Sequence, residues 1–91
     1  MLVNPDAYFK TIDAENCSYE DLIREREKLC EEIRRLERLI FEDAEKTDPA
    51  WKTIPSPNAA YPISLVYLEA LSQLMQKRYL EKKYESVGEN K

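Results

Sequence analysis

Histidine is absent from this chain of 91 residues. That removes the commonest general base, the commonest biological zinc ligand and most partners for a nucleophilic Ser or Cys. Glycine occurs once, at Gly88, too seldom for the many tight turns of a β-sandwich or barrel. Two cysteines, Cys17 and Cys30, are too few for a disulfide framework, and both are expected to stay reduced. The longest unbroken apolar run is four residues, Leu65 to Leu68, whereas a membrane-spanning helix needs about 20. Excess positive charge is also missing. Eighteen acids stand against 14 bases, a net charge of −4, which argues against a duplex-binding module. The N-terminal Met-Leu-Val-Asn-Pro-Asp lacks a basic segment followed by an apolar one, so no secretory signal is expected there.

What is present is charge and aliphatic side chains in helical rhythm. At 35% charged and 43% hydrophobic, the composition fits a solvated helical domain rather than a disordered chain. One domain is all this length allows, and a cytoplasmic protein of bacterial style is expected.

Residues 18–46 contain neither Gly nor Pro. Leu22, Leu29, Ile33, Leu36 and Ile40 recur at spacings of three, four and seven, which predicts one long amphipathic helix. Ser18 with Asp21 three residues later has the form of a capping box, and Cys17 and Leu22 stand where a hydrophobic staple would. With Tyr19 as heptad position a, Tyr19, Arg26, Ile33 and Ile40 fall at a, and Leu22, Leu29, Leu36 and Asp43 at d. Ile23, Cys30 and Ala44 at e widen the stripe toward a second neighbour. Glu20/Arg24, Glu31/Arg35 and Glu42/Lys46 are spaced four apart for ion pairing. Thr47-Asp48-Pro49 should stop the helix, because the residue before Pro avoids the helical region.

A second helix is predicted over 62–86, with Pro62 in its first turn. Its apolar residues, including Leu68, Leu71, Leu74 and Met75, spread beyond one stripe, with Leu65 and Tyr79 further round. The connection 47–61 should carry one helical turn opened by Asp48-Pro49 and bearing Trp51, then an extended Ile54-Pro55-Ser56-Pro57 segment. Residues 1–17 should form an arm with a short helix over 5–11, capped by Asn4 and in contact through Tyr8, Phe9 and Ile12. Residues 87–91 should fray.

The fold class that follows is all-α: an antiparallel hairpin of two long helices with a long Pro-containing connection. Charge sets its direction. Residues 20–32 hold six acids and three bases, and residues 77–83 hold four bases and one acid, so the end of the second helix should lie beside the start of the first. A single hairpin seam is small against the entropy of ordering two long helices, and the broad apolar arc of the second helix needs a further partner. Two copies are therefore expected to form a four-helix bundle. Its apolar contacts are assigned to Leu22, Leu29, Ile33, Leu36, Ile40, Leu68, Leu71, Leu74 and Met75.

Chemical sites are harder to find. Cys30 on the apolar face reads as a small core residue, and Cys17 as a staple rather than a reactive thiol. Glu27, Glu31, Glu42 and Asp43 lie among Arg and Lys and read as a solvated face, so no metal and no cofactor are expected. Arg26 at an a position and Arg78 near the facing stripe could reach water along the seam or line an anionic pocket. The length, long first helix and dimeric habit resemble the all-α chorismate mutases in architecture. That family's site draws several Arg and Lys, with Glu or Gln, from three helices. Residues 47–61 supply no middle helix, so no catalytic residue is carried over. Trp51 can pack over helix ends or anchor a partner. The basic run Lys77 to Lys83, with Tyr79 and Tyr84, could contact nucleic acid but for the acids expected beside it. The leading expectation is a non-enzymatic, self-associating helical module that acts by contact with itself or another protein. The alternatives are an all-α anion-binding protein or enzyme using Arg26 and Arg78, and a nucleic-acid-binding helical dimer.

Overall fold

The computed structural model describes residues 4–43 and 45–81. The described residues form three α-helices and no strand: α1 (Asp6–Thr11), α2 (Tyr19–Glu42) and α3 (Pro57–Leu80). A single 3₁₀ turn, Pro49–Lys52, lies between α2 and α3. The two long helices pack on each other as a hairpin. Their direction is antiparallel, because Tyr61 near the start of α3 reaches Glu37 late in α2, while Tyr79 near the end of α3 stands beside Tyr19 at the start of α2.

Local chemistry accounts for most boundaries. Asn4 accepts from the Asp6 N–H at 2.9 Å and starts α1. The helix ends in a Schellman arrangement: Ala14 N–H bonds the Phe9 carbonyl, Asp13 N–H bonds that of Lys10, and Asp13 takes φ 53°. Asp tolerates this left-handed conformation better than most residues. The expected capping box is present, with Ser18 and Asp21 each accepting from the other's backbone N–H at 3.1 Å.

α2 stops at Glu42, earlier than the expected 46. Asp43 ends it by drawing four donors onto one carboxylate: Thr47 N–H, Thr47 Oγ1–H, Asp48 N–H and Trp51 Nε1–H, at 3.0 to 3.2 Å. Lys46 bends the chain with φ 56°. The turn bearing Trp51 then follows, capped by Asp48, whose carboxylate accepts from the Ala50 N–H at 2.8 Å.

α3 opens at Pro57, five residues ahead of the expected Pro62. Ser56 is extended, at φ −69° and ψ 165°, as a residue before Pro prefers, so Pro57 occupies the first helical turn. The extended segment is correspondingly shorter than the alternating prolines implied. Pro62 lies inside the helix, where it has no N–H to offer the fourth carbonyl back. The expected final residues of this helix, 82–86, and the tail 87–91 lie outside the described residues.

The core is a seam between α2 and α3 with α1 laid over one flank. Leu22 and Leu71 are fully buried, and with Met75 they form a cluster closed by Phe9, Ile12, Cys17, Ile23 and Leu74. Ile33, Leu36 and Leu39 continue the buried row toward the turn. Leu39 is a g position, off the strict a/d stripe. A straight helix turns through about 20° relative to a heptad repeat every seven residues, and the contact row moves with it.

Candidate functional site

Two flanks run along this hairpin, one on each side of its seam. In helical steps of about 100° per residue, Glu25 and Glu37 of α2 lie on opposite sides of the row through Leu22, and Tyr67 and Tyr61 of α3 lie on opposite sides of the row through Leu71. The Tyr8 hydroxyl donates to Glu25 at 3.1 Å, and its ring stacks on Tyr67 at 4.6 Å, so α1 covers the Glu25–Tyr67 flank. The Tyr61 hydroxyl donates to Glu37 at 2.7 Å on the other flank.

The covered flank is fastened at its end by Arg78. Its guanidinium donates from Nη1 to the Cys17 carbonyl at 2.7 Å and from Nη2 to the Ala14 carbonyl. The bridge joins the last turn of α3 to the loop between α1 and α2. A shallow depression of about 390 Å³ opens between α1 and the start of α2, lined by Tyr8, Thr11, Cys17, Asp21 and Lys28 among others. Its charges are already matched, Asp21 with Arg24 and Glu25 with Lys28. Burial raises the Cys17 thiol pKa, opposed in part by Arg78, so the thiol form is favoured over the nucleophilic thiolate. Burial and the Glu25 charge also push the Tyr8 hydroxyl far above its ordinary range. Among the described residues, no group of three His, Cys, Asp or Glu side chains is placed to hold a metal ion. No described helix is long and apolar enough to cross a membrane.

The opposite flank is open along α2 and α3. Leu65 is 42% exposed and Phe41 73%, and Leu68 and Cys30 are half-buried. On α3, Leu65, Leu68 and Ser72 follow one another at steps of three and four and share this side. On α2 the same side carries Ile23, Arg26, Cys30, Glu37 and Phe41.

The residues assigned to apolar contacts divide accordingly. Leu22, Ile33, Leu36, Leu71 and Met75 are buried inside one chain, so they hold the hairpin shut rather than stand free for a partner. Leu29, Ile40, Leu68 and Leu74 are half-buried. Arg26 is exposed on α2, whereas the Arg78 fork is turned into the loop after α1. Trp51 is half-buried, tied to Asp43, with the Lys46 ammonium 5.2 Å from the ring centroid. It seals the end of α2. Ile54 stands beside that turn at 98% exposure.

Charge pairing also differs from the expected pattern. The described ion pairs run along α2 at spacing three, Asp21–Arg24, Glu25–Lys28 and Glu32–Arg35, in place of the expected spacing of four. Asp21 is drawn to the Ser18 N–H as well, and holding that bond places its carboxylate one turn from Arg24. Lys46 has left the helix and cannot meet Glu42 in the predicted way. Lys82, Lys83 and Tyr84 of the basic run lie outside the described residues.

Sequence reading missed the parts played by Asp43 and Phe41. The role of Asp43 was signalled only by Thr47, Asp48 and Trp51 following at four, five and eight residues, a set of donors that a returning chain can collect. Phe41 falls at heptad position b, where no contact is expected, and its place on the open flank needs the hairpin geometry. No family model, curated protein or solved structure matches this chain.

Proposed function

We propose that this protein is a non-enzymatic helical module whose activity is association, first with a second copy of itself. One observation carries this reading: α1 covers one flank of the hairpin, while the other exposes Leu65 and Phe41 beside half-buried Leu68 and Cys30. Scattered apolar residues are ordinary on a surface. A group of them along both helices of an otherwise closed hairpin supports reading this flank as a contact face. α3 is apolar around much of its circumference, the pattern of a helix with neighbours on more than one side. Two hairpins meeting on this flank make a four-helix bundle.

The chemistry of the polar groups supports contact rather than catalysis. Cys17 is held as a thiol, Arg78 is engaged with two carbonyls, and Asp43 with a set of backbone and indole donors. Each of these three groups already has structural work. Size-exclusion chromatography with light scattering tests the reading on the intact chain and on Leu65→Glu. The intact chain should elute with the mass of two copies and L65E with the mass of one. If the intact chain runs as one copy at all loadings, self-association is wrong.

A further inference from the structure

The geometry points to a specific arrangement of the two copies: across a two-fold axis on the open flank, α2 lies antiparallel to the partner's α2, with Arg26 of each copy facing Glu37 of the other. This rests on the self-association reading and adds to it the face, the direction and the contacts.

The charges on the flank are self-complementary. A two-fold contact brings each residue opposite the one equally far beyond the axis, and every such contact occurs twice. The midpoint between Arg26 and Glu37 falls between Glu31 and Glu32. About that point Glu27 comes within a turn of the partner's Arg34, and Ile23 within a turn of the partner's Phe41. Opposite charge meets opposite charge on either side of the centre, and apolar meets apolar at the ends.

α3 agrees independently. Tyr61 beside Glu37 and Tyr79 beside Tyr19 fix which residues of the two helices share a level. The level of the α2 midpoint falls between Val66 and Tyr67 on α3, which is also midway between Leu65 and Leu68. The same axis therefore places Leu65 of each copy against Leu68 of the other, the two aliphatic side chains that α3 brings to the open flank. Arg26 is free to serve, since it is exposed and makes no hydrogen bond or ion pair with another described residue. Glu37 is held in place by the Tyr61 hydroxyl on one oxygen, leaving the other as an acceptor.

Within one chain Arg26 and Glu37 are eleven residues apart on a helix, about 16 Å, too far to touch. A charge exchange between them therefore reports contact between copies. Sedimentation equilibrium on the full chain, Arg26→Glu and the double exchange Arg26→Glu with Glu37→Arg makes the test, with helicity checked for each. Arg26→Glu should weaken the dimer about tenfold, and the double exchange should restore most of the loss. A spin label at Glu20→Cys, with Cys17 and Cys30 replaced by Ala, gives a second readout. The antiparallel arrangement puts the two labels about 35 Å apart along the helix axis, and a parallel one puts them side by side. A dimeric intact chain with no rescue, or with labels closer than about 20 Å, overturns this arrangement while leaving self-association standing. A monomeric intact chain overturns both.

Discussion

Arg78, in the last turn of α3, donates from Nη1 to the carbonyl oxygen of Cys17 at 2.7 Å, 61 residues back along the chain. A second donation goes to the Ala14 carbonyl, so one planar fork holds two points of the loop that joins α1 to α2. No residue of α1 is itself buried, and six residues are too few to stay helical alone. The arm therefore depends on this fork, on the Phe9 and Ile12 contacts and on the Tyr8–Tyr67 stack. Arg78→Met keeps most of the stem and removes the donors. It should lower stability by about 1–2 kcal/mol and speed amide exchange in residues 6–17 first. Denaturant unfolding with exchange mass spectrometry reads both. Unchanged protection in the arm would contradict the role assigned to Arg78.

Leu71 and Leu65 occupy the same helix, one fully buried and the other 42% exposed. Leu71→Ala empties a fully buried site and should cost about 2–5 kcal/mol of folding stability. Leu65→Ala should change hairpin stability by less than about 0.5 kcal/mol under conditions where only one copy is present. Its effect should appear instead in the concentration dependence of the melting temperature, which intact protein shows and L65A shows weakly. Thermal melts across a range of protein concentration separate the two. Equal losses from both substitutions would place Leu65 inside the hairpin.

Asp43 is held below its ordinary carboxylate value near 3.8 by donation from the Asp48 and Thr47 N–H groups and the Trp51 indole. A carboxyl depressed on folding stabilises the structure fully above its unfolded pKa, and the contribution is lost as pH falls through the folded pKa. The turn should therefore be intact above about pH 5 and loosen below 3.8 as Asp43 protonates. Trp51 fluorescence, half-buried at neutral pH, should shift to longer wavelength over that acid range. Asp43→Ala should show the shifted spectrum already at pH 7. A spectrum independent of pH from 6 to below 3 would remove Asp43 as the organiser.

Tyr8 gives the opposite limb. Burial, followed by the Glu25 charge, raises its hydroxyl pKa well above the ordinary value of 10.0. The folded arm thus holds the proton more tightly than the unfolded one, and its stability falls as pH rises beyond about 10. Tyr8→Phe keeps the ring on Tyr67 and removes the titrating group. It should lose the hydrogen bond to Glu25, a cost of about 1 kcal/mol at pH 7, and flatten the alkaline fall above pH 10. Circular dichroism melts at pH 7 and pH 11 measure the difference. An alkaline fall unchanged in Y8F would assign it to other groups.

Pro62 costs α3 a backbone hydrogen bond six residues into the helix. Pro57 does not, since its position has no partner in any case. Pro62→Ala should stabilise the protein by about 1–3 kcal/mol, whereas Pro57→Ala should be neutral or destabilising. Urea midpoints for the two variants give the comparison. A loss of stability in P62A would show that the ring is needed where it stands.

The capping box at Ser18, the helical turn at Asp48-Pro49-Ala50-Trp51 and the short α1 were legible because each is written in adjacent residues. The hairpin closes in the expected direction, but the described ion pairs run along α2 rather than between the helices, and Arg78 turns its donors to carbonyls. The start of α3 was not. Pro57 and Pro62 both suit a first helical turn, and the alternating prolines at 55 and 57 also suit extended chain. The choice fell to tertiary packing: Pro57 is buried and Pro62 is exposed. Leu39 escaped because a seven-residue repeat was imposed on a helix that turns every 3.6. Arg78 was singled out, but its role as a fork on the loop after α1 escaped because its partners are backbone carbonyls, which every residue carries and no sequence marks. Of the candidate contact surface, Leu68 was legible as an apolar helix residue. Phe41 and Glu37 acquire meaning only when the antiparallel register places them beside α3.

Association of two copies through the flank left bare by α1 is the claim on which the functional reading stands. Sedimentation equilibrium of the intact chain at micromolar concentration addresses it most directly. The expected result is a reversible species of twice 10.8 kDa, with helicity retained. A folded, helical species that stays at 10.8 kDa up to high micromolar concentration would contradict it.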